Sequence, residues 1–210
     1  MPKDTFFNLP KKKQKKVIGA AITEFADYDP INTSISRIVA LAGIAKGSFY
    51  QYFLDKQDLH LYLVDLACQE QSVFMSELLN NKSNLDFFSY VQVAIRENTQ
   101  FHHQHPQLNQ VVYRATFSDY PWHDEVRTRL RQTISDTWEQ LVRLGMKRGD
   151  VDPSYNPKLI SSILTLLTLG LRDHSPEQSQ SQFLTQFEEL FRILELGLRP
   201  RSEVKENKTL

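Results

Sequence analysis

The chain has 210 residues, of which 40% are hydrophobic and 24% charged, and its 25 basic and 25 acidic residues leave no net charge. This composition is that of an ordinary globular protein with a real core, built as one large or two small domains. The single cysteine, Cys68, excludes an intrachain disulfide and suits a reducing compartment, and we expect it to be a small buried apolar residue. We find neither a signal segment nor a run of 18 apolar residues and therefore expect a cytoplasmic protein.

The first predicted helix runs from Pro10 to about Tyr28. Proline suits the first helical position, where its missing N–H is not needed. Apolar side chains then recur on one face, at Val17, Ile18, Ala21, Ile22 and Phe25. The lysines at 11–16 have two interpretations, contact with phosphate or a solvated face, and charge runs are usually solvated.

The segment from Ser34 to Lys56 predicts two short helices joined by a tight turn. Ser34 can cap the first of them, which carries an apolar stripe of Ile35, Ile38, Val39 and Ala42. Gly43 can enter the left-handed region without steric cost, so that a second helix begins at Ala45 or Lys46. This is a helix-turn-helix pattern.

The second helix of the pair carries groups that suit DNA. Phe49 and Phe53 are four residues apart and are expected to face the core. The remaining side chains are small, hydroxylated, amide-bearing or cationic and are expected to face outward or lie at the rim: Lys46, Gly47, Ser48, Tyr50, Gln51 and Tyr52. Residues 1–56 hold nine basic and five acidic residues, a local charge of +4 that suits a DNA-facing head.

Residues 15–63, KKVIGAAITEFADYDPINTSISRIVALAGIAKGSFYQYFLDKQDLHLYL, closely resemble the N-terminal DNA-binding domain of TetR-family transcriptional regulators. The resemblance rests on the first helix, the I.A.AG turn and the G.FY.YF.DK.DL run in one order and spacing. The chain departs from the family pattern twice. Ala45 replaces the usual Ser or Thr cap, which removes a bond worth roughly 1 kcal/mol, and Asp29-Pro30 replaces a glycine-containing turn.

The resemblance implies a division of labour among the DNA contacts. We expect phosphate contacts from Tyr50, Tyr52 and Lys56, with Thr33 or Ser34 from the loop before the first helix of the pair. We expect base contacts from Lys46, Ser48 and Gln51, with Ser36 or Arg37 from the preceding helix, while Gly47 permits close approach. The two-helix pattern would then place its second helix in the major groove of double-stranded DNA.

The rest of the chain is predicted to be helical throughout. One helix begins at Lys56 and runs toward Asn80, and others cover about 85–103, 107–117, 121–147, 156–171 and 178–196, separated by turn signals. The predicted fold is therefore all-α: an N-terminal three-helix helix-turn-helix domain (1–56), then a C-terminal helical bundle for regulation and dimerisation (57–210).

The last two predicted helices are apolar on more than one face. The simple interpretation is that both are core; the alternative is a four-helix interface between two chains. The resemblance favours the second, because the family dimerises through its last two long helices, and we predict a homodimer. The expected interface residues are Leu164, Leu167, Phe183, Phe187, Phe191 and Leu194.

Catalytic and metal chemistry is not favoured. His102, His103 and His105 are not joined by carboxylate or cysteine at ligand spacing, and histidine suits the C-terminal end of a helix in any case. The acidic pair after Pro121 suits a helix start, and no nucleophile, phosphate-loop or HExxH motif appears. We expect no metal, no cofactor and no enzyme activity; a helical enzyme or scaffold is a distant alternative.

Aromatic side chains of the body are expected to be mostly core, and some to line a pocket for a small-molecule effector. The candidates lie on helices that surround the ligand in the resembling family: Gln110, Tyr113, Arg114, Phe117 and Trp138. The resemblance thus implies a ligand-responsive regulator, most often a repressor, that binds a palindromic operator as a homodimer. The alternative within DNA binding is a regulator without an effector.

Overall fold

The computed structural model describes residues 1–82, 84–173 and 180–200, and these are helical with no strand among them. The predicted all-α fold is confirmed. The helices of this described part are α1 (Asp4–Phe7), α2 (Lys11–Asp27), α3 (Ile35–Ala42), α4 (Lys46–Tyr52), α5 (Lys56–Asn81), α6 (Phe87–Gln104), α7 (Pro106–Phe117), α8 (His123–Arg148), α9 (Pro157–Asp173) and α10 (Gln180–Leu198).

The predicted helices agree with the observed ones to within a few residues, with two differences. The four-residue helix α1 was not predicted, because it is too short to show a periodic pattern. Pro10 is the N-cap of α2 and not its first helical residue. The predicted turn near residue 175 and the predicted start of the last helix at 178 lie outside the described residues.

Polar side chains set the starts of several helices. Ser34 caps α3 by accepting from the backbone N–H of Arg37 at 3.5 Å, as predicted. Asp55 accepts from the backbone of Asp58 at 2.8 Å, and Asp58 accepts from the backbone of Leu54 at 3.0 Å, a reciprocal cap at the start of α5. The bonds from Arg37 and Asp58 satisfy N–H groups that the first turn of a helix leaves without partners, and the bond from Leu54 holds the chain that leads into α5.

Gly43 ends α3 in the left-handed conformation that the turn requires. Its φ is 62°, and its own N–H donates to the carbonyl of Ala40. A side chain here would also meet the ammonium of Lys16, 2.9 Å from the position that a Cβ would take. The positive φ is therefore the reason that favours glycine at this turn, because the end of the flexible Lys16 side chain can move aside.

The chain divides into two compact units. Unit 1 comprises Met1–Glu77 and Asn98–Arg131, and unit 2 comprises Leu78–Glu97 with the described residues of Gln132–Leu210. Helices α5, α6 and α8 contribute residues to each. The predicted functional boundary at residue 56 stays a prediction. None of the helices in the described ranges is long and apolar enough to cross a membrane.

The core of unit 1 contains residues from each of the helices α1, α2, α3, α4 and α5, and many of them are aromatic. Phe6, Phe25, Phe49 and Phe53 are fully buried, together with Ile38 from α3. The predicted inward positions of Phe49 and Phe53 are confirmed. Because rings from α1, α2 and α4 share one cluster, the two short helices α1 and α4 are stabilised by packing and not by their own length.

The core of unit 2 corrects part of the predicted dimer interface. Leu164, Phe187 and Phe191 are at most 1% exposed within the single chain, and the rings of Phe187 and Phe191 stack with centroids 5.7 Å apart. They have no surface left to present to a second copy. Leu167, Phe183 and Leu194 keep partial exposure. The sequence alone does not show which apolar residues of α9 and α10 face the core and which face outward.

His60, on α5, is a fully buried titratable residue in unit 1. Its Nδ1 accepts from the indole Nε1 of Trp122 at 2.9 Å, so its proton is assigned to Nε2, which has no hydrogen-bond partner in the described part of the chain. The ring stacks on Phe25 with centroids 4.7 Å apart. Burial, assisted by the charge of Lys56, lowers the pKa of His60 to about 3.

Acid should therefore destabilise the fold through His60. Between its unfolded pKa of about 6.5 and its folded pKa of about 3, the unfolded chain takes up a proton that the folded chain excludes. Stability is fully present above this window and is lost as pH falls, with a slope approaching about 1.4 kcal/mol per pH unit. Urea unfolding at a series of pH values would measure this slope.

The matched variant is His60→Gln, whose side-chain oxygen can still accept from Trp122 but does not titrate. We expect it to show a shallower loss of stability below pH 6 than the wild type. His103→Gln, at an exposed position, should keep the wild-type slope. Equal slopes for the wild type and His60→Gln would rule out this account.

Candidate nucleic-acid interface

The second helix of the pair, α4, presents a polar outer face. It begins at Lys46, so the missing cap at Ala45 does not delay the helix. Lys46, Gly47, Tyr50 and Gln51 are exposed, and Ser48 is half-buried. This set offers an ammonium, an amide and hydroxyls on one side of a short helix, which is the chemistry that base edges and phosphates require.

Tyr52 does not face outward as predicted. Its side chain is 5% exposed, with its ring centroid 6.2 Å from that of Phe6 and the ammonium of Lys13 6.0 Å from it. The helix is close to two turns long, so Tyr52 follows Phe49 on the inner side. The spacing of three residues from Phe49 was the available signal, but the partner ring belongs to the unpredicted helix α1.

Arg37, a predicted base contact on α3, is held by protein groups. Its Nε donates to both carboxylate oxygens of Glu24, at 2.8 and 3.0 Å, and its Nη2 donates to the carbonyl of Asn32. The guanidinium also lies over the ring of Tyr28, 4.1 Å from the centroid. The hydrogen bond to Glu24 raises the pKa of Arg37. Neighbouring Ser36 is exposed and not occupied in this way.

Glu24 is a buried carboxylate that sequence analysis did not single out. It is 2% exposed, and besides Arg37 it accepts from the backbone N–H of Ser34, the N-cap of α3, at 2.8 Å. A buried charge is tolerated only when it is paired and hydrogen-bonded, as here. Glu24 thereby fixes the start of α3 against α2. Its spacing of three and seven residues from the inward-facing Ala21 and Val17 was the available signal.

Lys56 and Thr33, both predicted phosphate contacts, are bonded to the loop between α2 and α3. The ammonium of Lys56 donates to the carbonyls of Ile31 and Thr33, at 2.8 and 3.1 Å, and burial lowers the pKa of Lys56. Thr33 is 6% exposed, and its hydroxyl donates to the carbonyl of Asp29. In this structure both residues shape the loop that leads into α3.

The predicted effector residues are divided between the two units. Gln110, Tyr113, Arg114 and Phe117 are half-buried on α7 in unit 1, whereas Trp138 is buried in unit 2 and donates to Thr168. The rings of Tyr113 and Phe117 lie 4.9 Å apart.

Arg114 is turned toward the end of α2. Its Nη1 bonds Asp29 at 2.5 Å, and its Nε donates to the carbonyl of Ala26 at 3.0 Å. Its role as an effector contact stays a prediction. Asp29 also accepts from the hydroxyl of Ser118 at 3.0 Å. The unusual Asp29-Pro30 turn is thus held by two side chains: Arg114 of α7 and Ser118, which directly follows α7.

Residues 1–9, which we call the N-terminal arm, lie against α4 and were missed by sequence analysis. Lys3 and Thr5 bond carbonyl groups of α4, and Phe6 is fully buried beside it. A single turn of helix preceded by a lysine carries no periodic signal. The paired phenylalanines at positions 6 and 7 were the only hint of an anchor.

Comparison with known proteins identifies the family. The family model described as "Bacterial regulatory proteins, tetR family" matches residues 17–63, which span α3, α4 and parts of α2 and α5. A TetR family transcriptional regulator from Chloroflexus aurantiacus J-10-FL is 33% identical, with 96% of this chain and 100% of that chain covered and a TM-score of 0.62.

One curated protein and one further solved structure are similar to this chain over most of its length, at lower sequence identity. The HTH-type transcriptional regulator RutR of Escherichia coli K12 is 21% identical over 90% of this chain and 92% of its own length. The transcriptional regulator FadR from Bacillus subtilis, solved in complex with stearoyl-CoA, is 15% identical, covering 88% of this chain and 98% of that chain with a TM-score of 0.68.

The chain therefore belongs to the TetR family and is a DNA-binding transcriptional regulator. The predictions of family, fold class and DNA-binding function are confirmed. The helix pair α3 and α4 lies entirely within the residues that the family model matches.

Proposed function

We propose that this regulator reads a palindromic operator as a homodimer and acts as a repressor released by a small-molecule effector in the cytoplasm. The observation that supports the reading step is the outer face of α4, where Lys46, Gly47, Tyr50 and Gln51 are exposed together. Two such helices related by a two-fold axis would contact half-sites about one helical turn of DNA, roughly 34–36 Å, apart.

We further propose that fewer side chains read bases than the sequence indicated. Arg37 and Lys56 already satisfy protein acceptors, so releasing them to DNA would leave Glu24 or loop carbonyls without those bonds. The side chains of Lys46 and Gln51 are exposed on the surface of α4, and no hydrogen bond holds either of them within residues 1–82, 84–173 and 180–200. Base reading is therefore assigned to Gln51 and electrostatic contact to Lys46, with Ser48 and Ser36 in supporting positions.

Two substitutions test this assignment. Gln51→Ala should mainly relax specificity, because a bidentate amide contact contributes about 1–3 kcal/mol of discrimination at one base pair. Lys46→Ala should weaken binding to operator and random DNA alike and reduce the slope of log affinity against log salt by about one. Fluorescence anisotropy with both DNAs over a range of salt concentrations measures each effect.

The matched controls are Gln69→Ala on α5 and Lys158→Ala on α9, which are exposed residues of the same types outside α4. Both should bind operator as the wild type does. If Gln51→Ala and Lys46→Ala gave the same change in specificity and salt slope, the assignment of roles would be refuted.

We propose that the dimer forms through an exposed apolar face of α9 and α10. Leu159, Ile163 and Leu166 recur at helical spacing on α9 and are 61%, 38% and 61% exposed. Ile193 and Leu196 on α10 are 67% and 79% exposed. A row of large exposed apolar side chains on neighbouring helices is the usual mark of an interaction surface. In this proposal, the exposed face takes the role in dimerisation that the sequence analysis gave to the buried residues Leu164, Phe187 and Phe191.

The substitution Leu166→Glu should disrupt this dimer, because it places a charge in the middle of the apolar face. Sedimentation at micromolar concentration should show a monomer, with a lower operator affinity as a consequence. Leu54→Glu, at a leucine of similar exposure in unit 1, is the control and should leave the dimer intact. A dimer that survives Leu166→Glu would place the interface elsewhere.

We propose that an apolar or amphipathic small molecule is the effector, in keeping with the stearoyl-CoA bound by the FadR relative and the aromatic pair Tyr113 and Phe117 on α7. Native mass spectrometry with stearoyl-CoA and cell extract as probes should detect a bound mass that is lost in Phe117→Ala and kept in Phe7→Ala. Absence of any adduct, with operator affinity unchanged by extract, would instead identify a regulator without an effector.

A further inference from the structure

We propose that the N-terminal arm is a positioning element for operator recognition: it caps the C-terminal end of α4 and fixes the orientation of that helix. The proposal rests on DNA reading by α4. It assigns no base contact to the arm. The arm acts through α4, and the residues that carry this role are Lys3, Thr5 and Phe6.

Helix α4 needs support from outside itself. It has seven residues, too few for a helix to be stable alone in water. Its N-cap, Ala45, has no side-chain oxygen to bond the first N–H groups. At its other end, the last carbonyls of any helix lack partners within the helix. Both ends of α4 are thus weak by their own sequence.

The arm bonds three consecutive carbonyls at the C-terminal end of α4. The backbone N–H of Lys3 donates to Tyr52 at 2.8 Å, and its ammonium donates to Tyr50 at 2.7 Å. The hydroxyl of Thr5 donates to the carbonyl of Gln51. The positive charge of Lys3 also lies at the negative end of the helix dipole. The arm, more than forty residues away in sequence, therefore provides the C-terminal cap of α4.

Phe6 anchors the arm in the core. Its side chain has no exposed surface, and its ring centroid lies 5.1 Å from that of Phe53 and 5.9 Å from that of Tyr62 on α5. Lys3 and Thr5, the hydrogen-bonding residues just before Phe6, are consequently held at fixed positions. A cap fixed in this way resists rotation or fraying of α4, on which the proposed reading residues Lys46 and Gln51 depend.

The sharpest test is Thr5→Val, which removes one hydroxyl without changing charge or shape. Loss of a single hydrogen bond should weaken operator binding by about two- to tenfold. Binding to random DNA and its salt slope should not change, because no cation is lost. Thr5→Ser restores a hydroxyl and should recover operator affinity. A residue with a purely structural role would change the thermal midpoint without this loss of specificity.

A pair of substitutions at Lys3 isolates the backbone bond. Lys3→Met and Lys3→Pro lose the same charge and the same side-chain donor, but only proline also lacks the N–H that bonds Tyr52. Lys3 has φ −74°, which proline adopts without strain. Lys3→Pro should therefore bind operator more weakly than Lys3→Met by about two- to tenfold, with equal affinity for random DNA.

The outcomes separate this proposal from the proposed function. If the wild type does not prefer its operator over random DNA, the proposed reading fails. If the wild type shows that preference but Thr5→Val and Lys3→Pro keep it in full, the arm does not position α4. Equal loss on both DNAs would also overturn positioning and assign the arm to general stability. Phe7→Ala, at an exposed ring of the arm, should retain operator binding.

Discussion

The structure of the DNA-binding part depends on one constraint: a seven-residue helix must be held rigidly although neither its length nor its N-cap residue, Ala45, stabilises it. The buried rings of Phe49 and Tyr52 pack the inner face of α4 against the core. The arm covers its C-terminal carbonyls, and Gly43 sets its direction relative to α3. Because inner and outer faces share so short a helix, every inner contact also determines where the outer side chains point.

Several charged side chains of unit 1 bond other protein groups and so hold neighbouring segments in place. Glu24 is buried and must be neutralised, which commits Arg37, and the carbonyls of the loop after α2 commit Lys56. These bonds fix the approach to α3 and hence the angle between the two helices of the pair. A cation that satisfies a carboxylate or a carbonyl is a poor first choice for reading a base. The sequence alone shows the cation and not its acceptor.

Helix existence, the glycine turn, the serine cap and the family could be predicted, because each is encoded within a few neighbouring residues. Ser34 and Gly43 are local signals, and the spacing of Phe49 and Phe53 gives the inner face. Contacts between distant segments could not be predicted. Tyr52 has the composition of a rim residue until Phe6 is seen beside it, and the stripe on α9 and α10 has no visible inner side until each helix is packed.

The same dependence on distant contacts explains why unit 1 extends well beyond residue 56. Arg114 donates to the carbonyls of Ala26 and Asp27 at the C-terminal end of α2 and pairs with Asp29, to which Ser118 also donates. Breaking these contacts would leave helix-end carbonyls and a carboxylate without their partners, so α7 is bound to α2 by more than apolar packing. Asp29, the residue that departs from the family's glycine-containing turn, is the point where this link is made. Its side chain provides an attachment that glycine lacks.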